Sequence, residues 1–191
     1  PETRQAAGPN TIVIVGSLAP HKNIELILCL ADQLAEKGLR IAVVGMRDAR
    51  VFAKAGKTFE AANIIWLGKI DDNALAALLR DSLCLCFPSL MEGFGLPALE
   101  AMAIGCPVIA TDRASLPEVC GDAALYASPV EPGTWLQRIM ELRNTPGLAH
   151  RLVDRGLDRA RLFSWGAAAE VYLELMAFAD RVQSENTTVA V

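Results

Sequence analysis

The sequence predicts an α/β fold, a Rossmann-like parallel sheet of about six strands with helices on both faces. Short apolar runs alternate with longer segments whose apolar residues recur every 3.6 positions, which is typical of βα units. The apolar runs are nearly uninterrupted, as in strands that are buried on both faces of a sheet. Hydrophobic residues make up 52% of the 191 residues and charged residues 21%, which is ample for one such core.

The predicted elements follow this alternation along the chain. Strands are predicted at Thr11–Val15, Arg40–Val44, Ile64–Leu67, Leu83–Phe87, Pro107–Ala110 and Ala124–Tyr126. Helices are predicted at Ile24–Lys37, Asp72–Arg80, Pro97–Ile104, Pro132–Asn144, Leu148–Leu162 and Trp165–Val182. The loop Gly45–Gly56 has only an ambiguous helical pattern. No strand is predicted after Tyr126, so the last helices are expected to cover a finished sheet.

Residues of known capping preference mark several helix ends. Asn23 is predicted to cap the first helix, and Gly38 follows its last residue. Pro97 stands in a predicted first turn and Gly105 ends that helix. These boundaries predict one folded domain over 11–182, with a linker or truncated end over 1–10 and a disordered tail over 183–191. Because the chain begins with Pro1 and not Met, it is expected to be cut from a longer protein whose missing half lies upstream.

Charge and cysteine content exclude several classes of protein. A net charge of −4 gives no basic field for a polyanion, so nucleic acid is not expected as a partner. The five cysteines are odd in number and lie mostly in apolar runs, which indicates a reducing compartment. Cys84 and Cys86 are expected to point to opposite faces of a strand, which counts against a shared metal site.

No segment of the sequence is close to the length of apolar residues that spans a membrane, and no signal peptide is recognised, so the chain is expected to be cytoplasmic.

The segment after the first predicted strand is a candidate phosphate site. Ligands of open α/β sheets bind beyond the carboxyl ends of the strands. Gly16-Ser-Leu-Ala-Pro-His-Lys-Asn23 would bring Lys22 to the start of the next helix, where backbone amides and an ammonium group converge. A lone lysine in a first turn is more often simply solvated, so this signal alone is weak.

The segment after the fourth predicted strand, Glu92-Gly-Phe-Gly-Leu-Pro-Ala-Leu-Glu100, carries more information. Its two glycines precede a proline-started helix, so the Gly93–Leu96 amides are expected to approach a ligand without obstruction. Glu92 and Glu100 are expected to face one crevice from its two sides. A glutamate in a first turn often only complements the helix dipole, which would account for Glu100 alone but not for the whole segment.

A third polar segment, Thr111 to Val119, follows the fifth predicted strand. Its residues could contact a ligand, but capping of a short helix after Pro117 accounts for most of them. Asp112 and Glu118 are therefore interpreted as structural.

Taken together, these segments resemble a known family. Glu92 to Glu100 is similar to the E-x7-E motif of retaining glycosyltransferases of the GT-B architecture, glycosyltransferase family 4. Further landmarks agree in order and spacing over about Thr11 to Met176: Val15–Asn23, Val43–Gly45, Ile65–Ile70, Cys106–Asp112, Leu116–Val119 and Phe163–Trp165. The chain resembles the C-terminal, donor-binding domain of such an enzyme. Ser17 stands at a position where many members carry an arginine. A serine at this position is familiar among mannosyltransferase-like members.

The resemblance implies a role for each candidate residue. Glu92 and Lys22 would be the catalytic residues, with Lys22 neutralising the donor diphosphate. Glu100 would hydrogen-bond the donor ribose. The resemblance also assigns to the donor pocket Gly16, Ser17, Gly45, Lys69, Ile70, Gly93, Phe94, Gly95 and Leu96.

The same resemblance implies the reaction and the partners. A glycosyl group would pass from a nucleoside diphosphate sugar to an acceptor hydroxyl with retention of configuration, as in polysaccharide biosynthesis. The partner would be an N-terminal acceptor domain of the same parent chain, through which peripheral membrane association is conceivable, and the isolated domain is expected to be inactive. No cofactor or metal is expected, since the sequence has no Asp-x-Asp and no cluster of ligands.

Two other readings compete with this one. A non-catalytic nucleotide-sugar-binding or regulatory module would keep the fold and the pocket. A nicotinamide dehydrogenase would share the fold class, but it requires Gly-x-Gly-x-x-Gly after the first strand, which the segment after Val15 lacks.

Overall fold

The computed structural model describes residues 6–46, 59 and 61–188. Its strands are β1 (Thr11–Val15), β2 (Arg40–Val44), β3 (Ile64–Gly68), β4 (Cys84–Phe87), β5 (Val108–Thr111) and β6 (Ala124–Ala127). Its α-helices are α1 (Glu25–Leu28), α2 (Ala31–Glu36), α3 (Asp72–Asp81), α4 (Leu96–Ile104), α5 (Leu116–Cys120), α6 (Pro132–Asn144), α7 (Leu148–Arg161) and α8 (Trp165–Thr188).

The strands form one parallel sheet in the order β3-β2-β1-β4-β5-β6. The chain builds outward from β1 to β3 and then crosses to β4 on the other side of β1. The connection that follows β1 runs towards β2, and the connection that follows β4 runs in the opposite direction, towards β5. This divergence opens a crevice at the carboxyl ends of β1 and β4. The predicted Rossmann-like α/β class is confirmed, and each predicted strand lies within one residue of the observed one at both ends.

Both faces of the sheet are buried, as the uninterrupted apolar runs predicted. Alternate residues of a strand point to opposite faces. On one face Ile12, Ile14 and Ile41 pack with α2 and α6, and on the other Val13, Ala42 and Leu85 pack with α4 and α5. The edge strand β3 is only half-buried.

The first predicted helix is interrupted in the structure. Ile24–Lys37 contains α1 and α2, and a turn at Cys29 and Leu30 separates them. The prediction of Asn23 as the helix cap is wrong: Ile24 occupies that position without a side-chain cap, and Asn23 has a left-handed backbone with φ of 52°. The Asn23 amide is instead used for tertiary hydrogen bonds.

The helix ends differ elsewhere by a few residues. Helix α8 continues to Thr188, six residues beyond the predicted end at Val182. The predicted division into 1–10, 11–182 and 183–191 stays a prediction, and positions 1–5 and 189–191 lie outside the described residues. The ambiguous loop Gly45–Gly56 also lies outside them from residue 47 onward.

The expectation that Cys84 and Cys86 point to opposite faces is wrong, because residues two apart in a strand share a face. Their sulfur atoms are 4.0 Å apart within one core cluster. The hydrogen bond with Cys86 and burial raise the pKa of the Cys84 thiol, and burial raises that of Cys120 to about 11. The thiols of Cys84 and Cys120 therefore stay protonated at neutral pH, and both residues pack as small apolar side chains.

The chain divides into two compact units, with the boundary between Ala160 and Arg161. The first contains the sheet, and the second contains α8. By length and composition alone, the helical stretch Leu148–Arg181 could cross a membrane, with a mean hydropathy of 1.2 over its most apolar window. The expectation that no segment is long and apolar enough to cross a membrane is therefore wrong by length and composition. One such helix does not by itself identify a membrane protein.

We predict that Trp135→Ala destabilises the sheet unit strongly. Trp135 is completely buried, and its indole Nε1 donates to the Ser128 carbonyl oxygen at 2.8 Å. Loss of its contacts should lower the free energy of unfolding by about 3–5 kcal/mol. Chemical denaturation measures this quantity.

The matched control is Trp165→Ala, because the Trp165 side chain is 82% exposed. It should change the free energy of unfolding by less than about 0.5 kcal/mol. Equal effects of the two substitutions would contradict the assignment of Trp135 to the core.

Candidate functional site

The crevice between β1 and β4 contains a lysine–glutamate ion pair. Lys22 follows β1 and Glu92 follows β4, and Lys22 Nζ lies 2.7 Å from Glu92 Oε1. The two side chains are 24% and 11% exposed. Both residues were sequence candidates, but their direct contact was not predicted. The fold brings a cation and an anion 70 positions apart to the place where this class of sheet binds ligands.

Local geometry explains the position of Lys22. It ends a 3-10 turn, Pro20–Lys22, and so lies before α1 rather than in its first turn. The aliphatic stem passes over Gly16, and Nζ lies 5.9 Å from the centre of the Phe87 ring. The cation is thus held close to the sheet by packing and by one carboxylate.

Hydrogen bonds from neighbouring loops hold the loop that carries Glu92. The Leu90 amide donates to the His21 carbonyl oxygen at 2.7 Å, which ties this loop directly to the turn of Lys22. The Asn23 amide Nδ2 donates to the carbonyl oxygens of Pro88 and Pro129, at 3.2 and 2.9 Å. The loop after β4 is therefore fixed to the loops after β1 and β6.

The last residue of β5 and the loop that follows it also hold the Glu92 loop by hydrogen bonds. Thr111 Oγ1 donates to the Ser89 carbonyl oxygen at 2.6 Å, and Ser115 Oγ donates to the Phe94 carbonyl oxygen at 2.8 Å. Sequence reasoning missed Ser115, because a serine before Leu116-Pro117 looks like a helix cap. In the structure its hydroxyl makes no cap bond for α5 and supports the Glu92 loop instead.

The second glycine of this loop has a strict conformational role. Gly95 has φ of 96° and precedes α4, and a Cβ there would lie 2.7 Å from Leu116 Cδ2. Gly93 has open space around its Cα. The side chains of Phe94 and Leu96 are both exposed at the rim of the crevice. Phe94 and Leu96 therefore present apolar surface to solvent, and Gly95 allows the left-handed backbone before α4.

Glu100 is not in the first turn of its helix. Because α4 begins at Leu96, one residue before the predicted start, Glu100 is its fifth residue. Its side chain is exposed, and it has no hydrogen bond or ion pair with another residue in the part of the chain that the structure describes. The helix-dipole explanation for Glu100 is therefore weakened, and Glu100 does not contact Glu92.

The glycines after β1 and β2 lie against one another. The Gly16 amide donates to Val44 and the Gly45 amide to Gly68, both at 2.9 Å. A Cβ on Gly45 would lie 2.1 Å from the Gly16 carbonyl oxygen, so no larger residue fits without movement of the backbone. Gly45 thus has a structural reason to be glycine, whichever ligand the crevice binds.

The remaining sequence candidates are more peripheral. Ser17 Oγ accepts a hydrogen bond from the Ala19 amide at 3.4 Å, within its own turn. Lys69 is exposed and Ile70 half-buried, directly after β3. Asp112 forms an exposed ion pair with Arg113 at 3.5 Å, and its interpretation as structural stays a prediction.

Two cavities lie away from the ion pair. One of about 340 Å³ is lined by Leu28, Asp32 and Ile64, among others, and one of about 330 Å³ by Asp112, Tyr126 and Arg138, among others. Neither is lined by Lys22 or Glu92. The candidate site is located by the topology of the sheet and by the charge of Lys22 and Glu92. Over the described ranges, no cluster of three or more His, Cys, Asp or Glu residues could hold a metal ion.

The sheet order and the charged crevice define a doubly wound α/β domain with a candidate ligand site at its switch point. A family model described as "Glycosyl transferases group 1" matches residues 1–159. The chain belongs to this family.

Curated relatives include several mannosyltransferases. O-antigen chain mannosyltransferase B of Escherichia coli is 32% identical over 167 residues, 84% of this chain and 44% of that protein. The serotype-specific mannosyltransferase WbdA of Escherichia coli is 36% identical over 190 residues, 94% of this chain and 23% of that protein. The chain thus spans less than half the length of these relatives.

Solved structures agree with the fold. The C-terminal domain of a glycosyl transferase group 1 family protein from Francisella tularensis has a TM-score of 0.68 and 26% identity, covering 83% of this chain and 88% of that one. Sucrose-phosphate synthase from Thermosynechococcus elongatus has a TM-score of 0.73 and 25% identity, over 92% of this chain and 48% of that one.

We predict that Gly95→Ala lowers the free energy of unfolding by about 1–3 kcal/mol, because the left-handed backbone disfavours a Cβ and Leu116 must move. Gly93→Ala is the control, since it adds the same methyl group in open space with no left-handed constraint. Gly93→Ala should leave the free energy of unfolding almost unchanged or raise it slightly. Chemical denaturation of both variants compares them, and equal stability would contradict the assigned role of Gly95.

Proposed function

We propose that the chain is the donor-binding, C-terminal half of a retaining glycosyltransferase of family 4. It binds a nucleoside diphosphate sugar and, together with an N-terminal acceptor domain of the same parent chain, transfers the glycosyl group to an acceptor hydroxyl. The observation that carries this proposal is the Lys22–Glu92 pair at the switch point of the sheet. The family membership and the relatives' greater length support it.

In this proposal, Lys22 and the amides of the Gly93–Leu96 segment bind the diphosphate. Glu92 binds the hydroxyl groups of the donor sugar, and Glu100 accepts hydrogen bonds from the ribose. Gly45, Lys69 and Ile70 lie after β2 and β3, on the side where the base is placed. The carbonyl groups of the Glu92 loop are held from neighbouring loops, which pre-organises the segment before a ligand arrives.

The proposed reaction needs positive charge more than it needs an acid or a base. The acceptor oxygen forms a bond to the anomeric carbon, and the bond between that carbon and the phosphate oxygen breaks. The nucleoside diphosphate leaves with the bonding electron pair, and the hydroxyl proton is released. Lys22 stabilises the charge that develops on the leaving phosphate, and the proposal includes no metal ion.

The donor sugar is proposed to be a hexose, with mannose favoured. Several of the relatives that match are named as O-antigen or serotype-specific mannosyltransferases, which supports a role in polysaccharide biosynthesis. A cytoplasmic location and peripheral membrane association through the N-terminal half belong to the same proposal.

A non-catalytic nucleotide-sugar-binding module is the second candidate. The presence of Lys22, Glu92 and Glu100 together disfavours it. Assaying the longer parent chain separates the two: sugar transfer supports the enzyme, and donor binding without transfer or hydrolysis supports the module.

The direct test of the proposal is a thermal-shift screen of the 191-residue chain against UDP, GDP, ADP and their sugars. A ligand that binds only the folded state raises the melting temperature. At least one nucleoside diphosphate sugar should do so, and the isolated chain should show no transfer. Absence of any shift would overturn the proposal.

We predict that Lys22→Ala weakens binding of a nucleoside diphosphate by about 10- to 100-fold, the scale of a lost charged hydrogen bond. Binding of the matching nucleoside should be nearly unchanged, because it has no phosphate. Calorimetric titration measures both affinities. Lys37→Ala, an exposed lysine after α2, is the control and should leave both unchanged. Equal losses for nucleoside and diphosphate would make Lys22 structural.

Glu100→Gln separates ribose binding from a helix-dipole role. Loss of a charged acceptor to the ribose should weaken nucleotide binding by about 1.5–3 kcal/mol, with little change in the melting temperature of the free chain. A dipole role would instead cost about 0.3–1 kcal/mol of stability and leave binding intact. Glu118→Gln, at another exposed glutamate, is the control. Unchanged calorimetric affinity would remove the ribose assignment.

A further inference from the structure

We propose that Glu92 makes the site discriminate against the product nucleoside diphosphate in favour of the donor sugar nucleotide. This inference rests on the proposed function, since it concerns the ligands of the same crevice. The Glu92 carboxylate is the counter-ion of Lys22, at 2.7 Å. A phosphate that binds Lys22 therefore enters beside a negative charge.

The geometry keeps this carboxylate close to the cation. The Glu92 side chain is only 11% exposed, so water screens the charges less than on an open surface. The hydrogen bond from the Leu90 amide to the His21 carbonyl oxygen links the two loops two residues from Glu92 and one residue from Lys22.

The backbone of Glu92 is restrained on its other side as well. Ser115 Oγ lies 3.5 Å from the Glu92 carbonyl oxygen and 2.8 Å from that of Phe94. The loop therefore cannot carry the carboxylate far from Lys22 without breaking bonds to two neighbouring loops. A phosphate that binds Lys22 therefore lies next to the Glu92 carboxylate.

The nucleoside diphosphate and the sugar nucleotide differ in their electrostatic interaction with the Glu92 carboxylate. A free diphosphate has a terminal phosphate group that loses a second proton near pH 6, so it carries nearly one more negative charge at neutral pH. In the sugar nucleotide that phosphate is esterified, and the sugar brings hydroxyl groups that donate to a carboxylate. Glu92 thus repels the product more than the donor, which favours release of the product after transfer.

The test is calorimetric titration of the 191-residue chain and of Glu92→Gln. The probes are inorganic pyrophosphate and the pairs GDP with GDP-mannose, UDP with UDP-glucose and ADP with ADP-glucose. Glu92→Gln should raise the affinity for pyrophosphate and for the diphosphate that binds by about 3- to 10-fold, because a like charge is removed. The affinity for the matching sugar nucleotide should stay the same or fall.

Glu118→Gln is the matched control, since it removes the same charge from an exposed helix position and should change every affinity less than about twofold. Glu92→Ala is the second variant, and should show the same gain for the diphosphate if the Gln variant unfolds. Melting temperatures establish that each variant is folded.

Weaker or unchanged binding of pyrophosphate and diphosphate by the Glu92 variants would overturn the inference, because Glu92 would then only position Lys22. Failure of the proposed function gives a different result: the wild-type chain would bind none of the probes, or Lys22→Ala would bind them as well as wild type. A gain for the diphosphate without a gain for the sugar nucleotide supports the inference.

Discussion

The pairing of β1 with β4 is the constraint on which the site depends. These strands are far apart in sequence, yet they lie side by side in parallel, with Ile12 opposite Cys84 and Val13 opposite Leu85. The pairing places the loops that follow both strands at one edge of the sheet. Because the neighbouring connections diverge there, the edge is open, and Lys22 and Glu92 meet in it. Burial of both faces of the sheet fixes this register, since a slip by one residue would turn apolar side chains to the wrong face.

A second level of organisation comes from polar contacts between loops. Thr111, Ser115 and the Asn23 amide each donate to a carbonyl oxygen of the segment from Pro88 to Phe94. These bonds satisfy acceptors that would otherwise be costly to bury, and they fix a loop that lacks regular structure. Asn23 achieves this with a left-handed backbone, which asparagine tolerates better than most residues. The sheet and the hydrogen bonds between loops together restrain the position of the loop that carries Glu92.

The accuracy of the sequence predictions followed the kind of signal available. Strands were located to within one residue because burial, which is complete for most strands and partial for β3, produces continuous apolar runs between polar flanks. Helix details were less accurate: the break at Cys29 and Leu30 lies in a continuous amphipathic pattern, which does not reveal it. Asn23 and Ser115 were misjudged or missed for one reason. A residue that can cap a helix can equally donate to a distant loop, and only the tertiary environment decides between the two.

The sequence by itself determined the fold class and the strands, because apolar periodicity is a local property. Glycine placement and the Glu92–Glu100 motif, which are also local, predicted the candidate residues of the crevice. Only the tertiary structure decided how those residues meet. In the structure, Lys22 forms an ion pair with Glu92, and Glu100 is exposed beyond the first turn of α4. Ser115 donates a hydrogen bond to the loop that carries Glu92. The physical reason is that an ion pair or a hydrogen bond between distant loops depends on the register and order of the strands that carry them, to within an ångström. No local pattern encodes that distance.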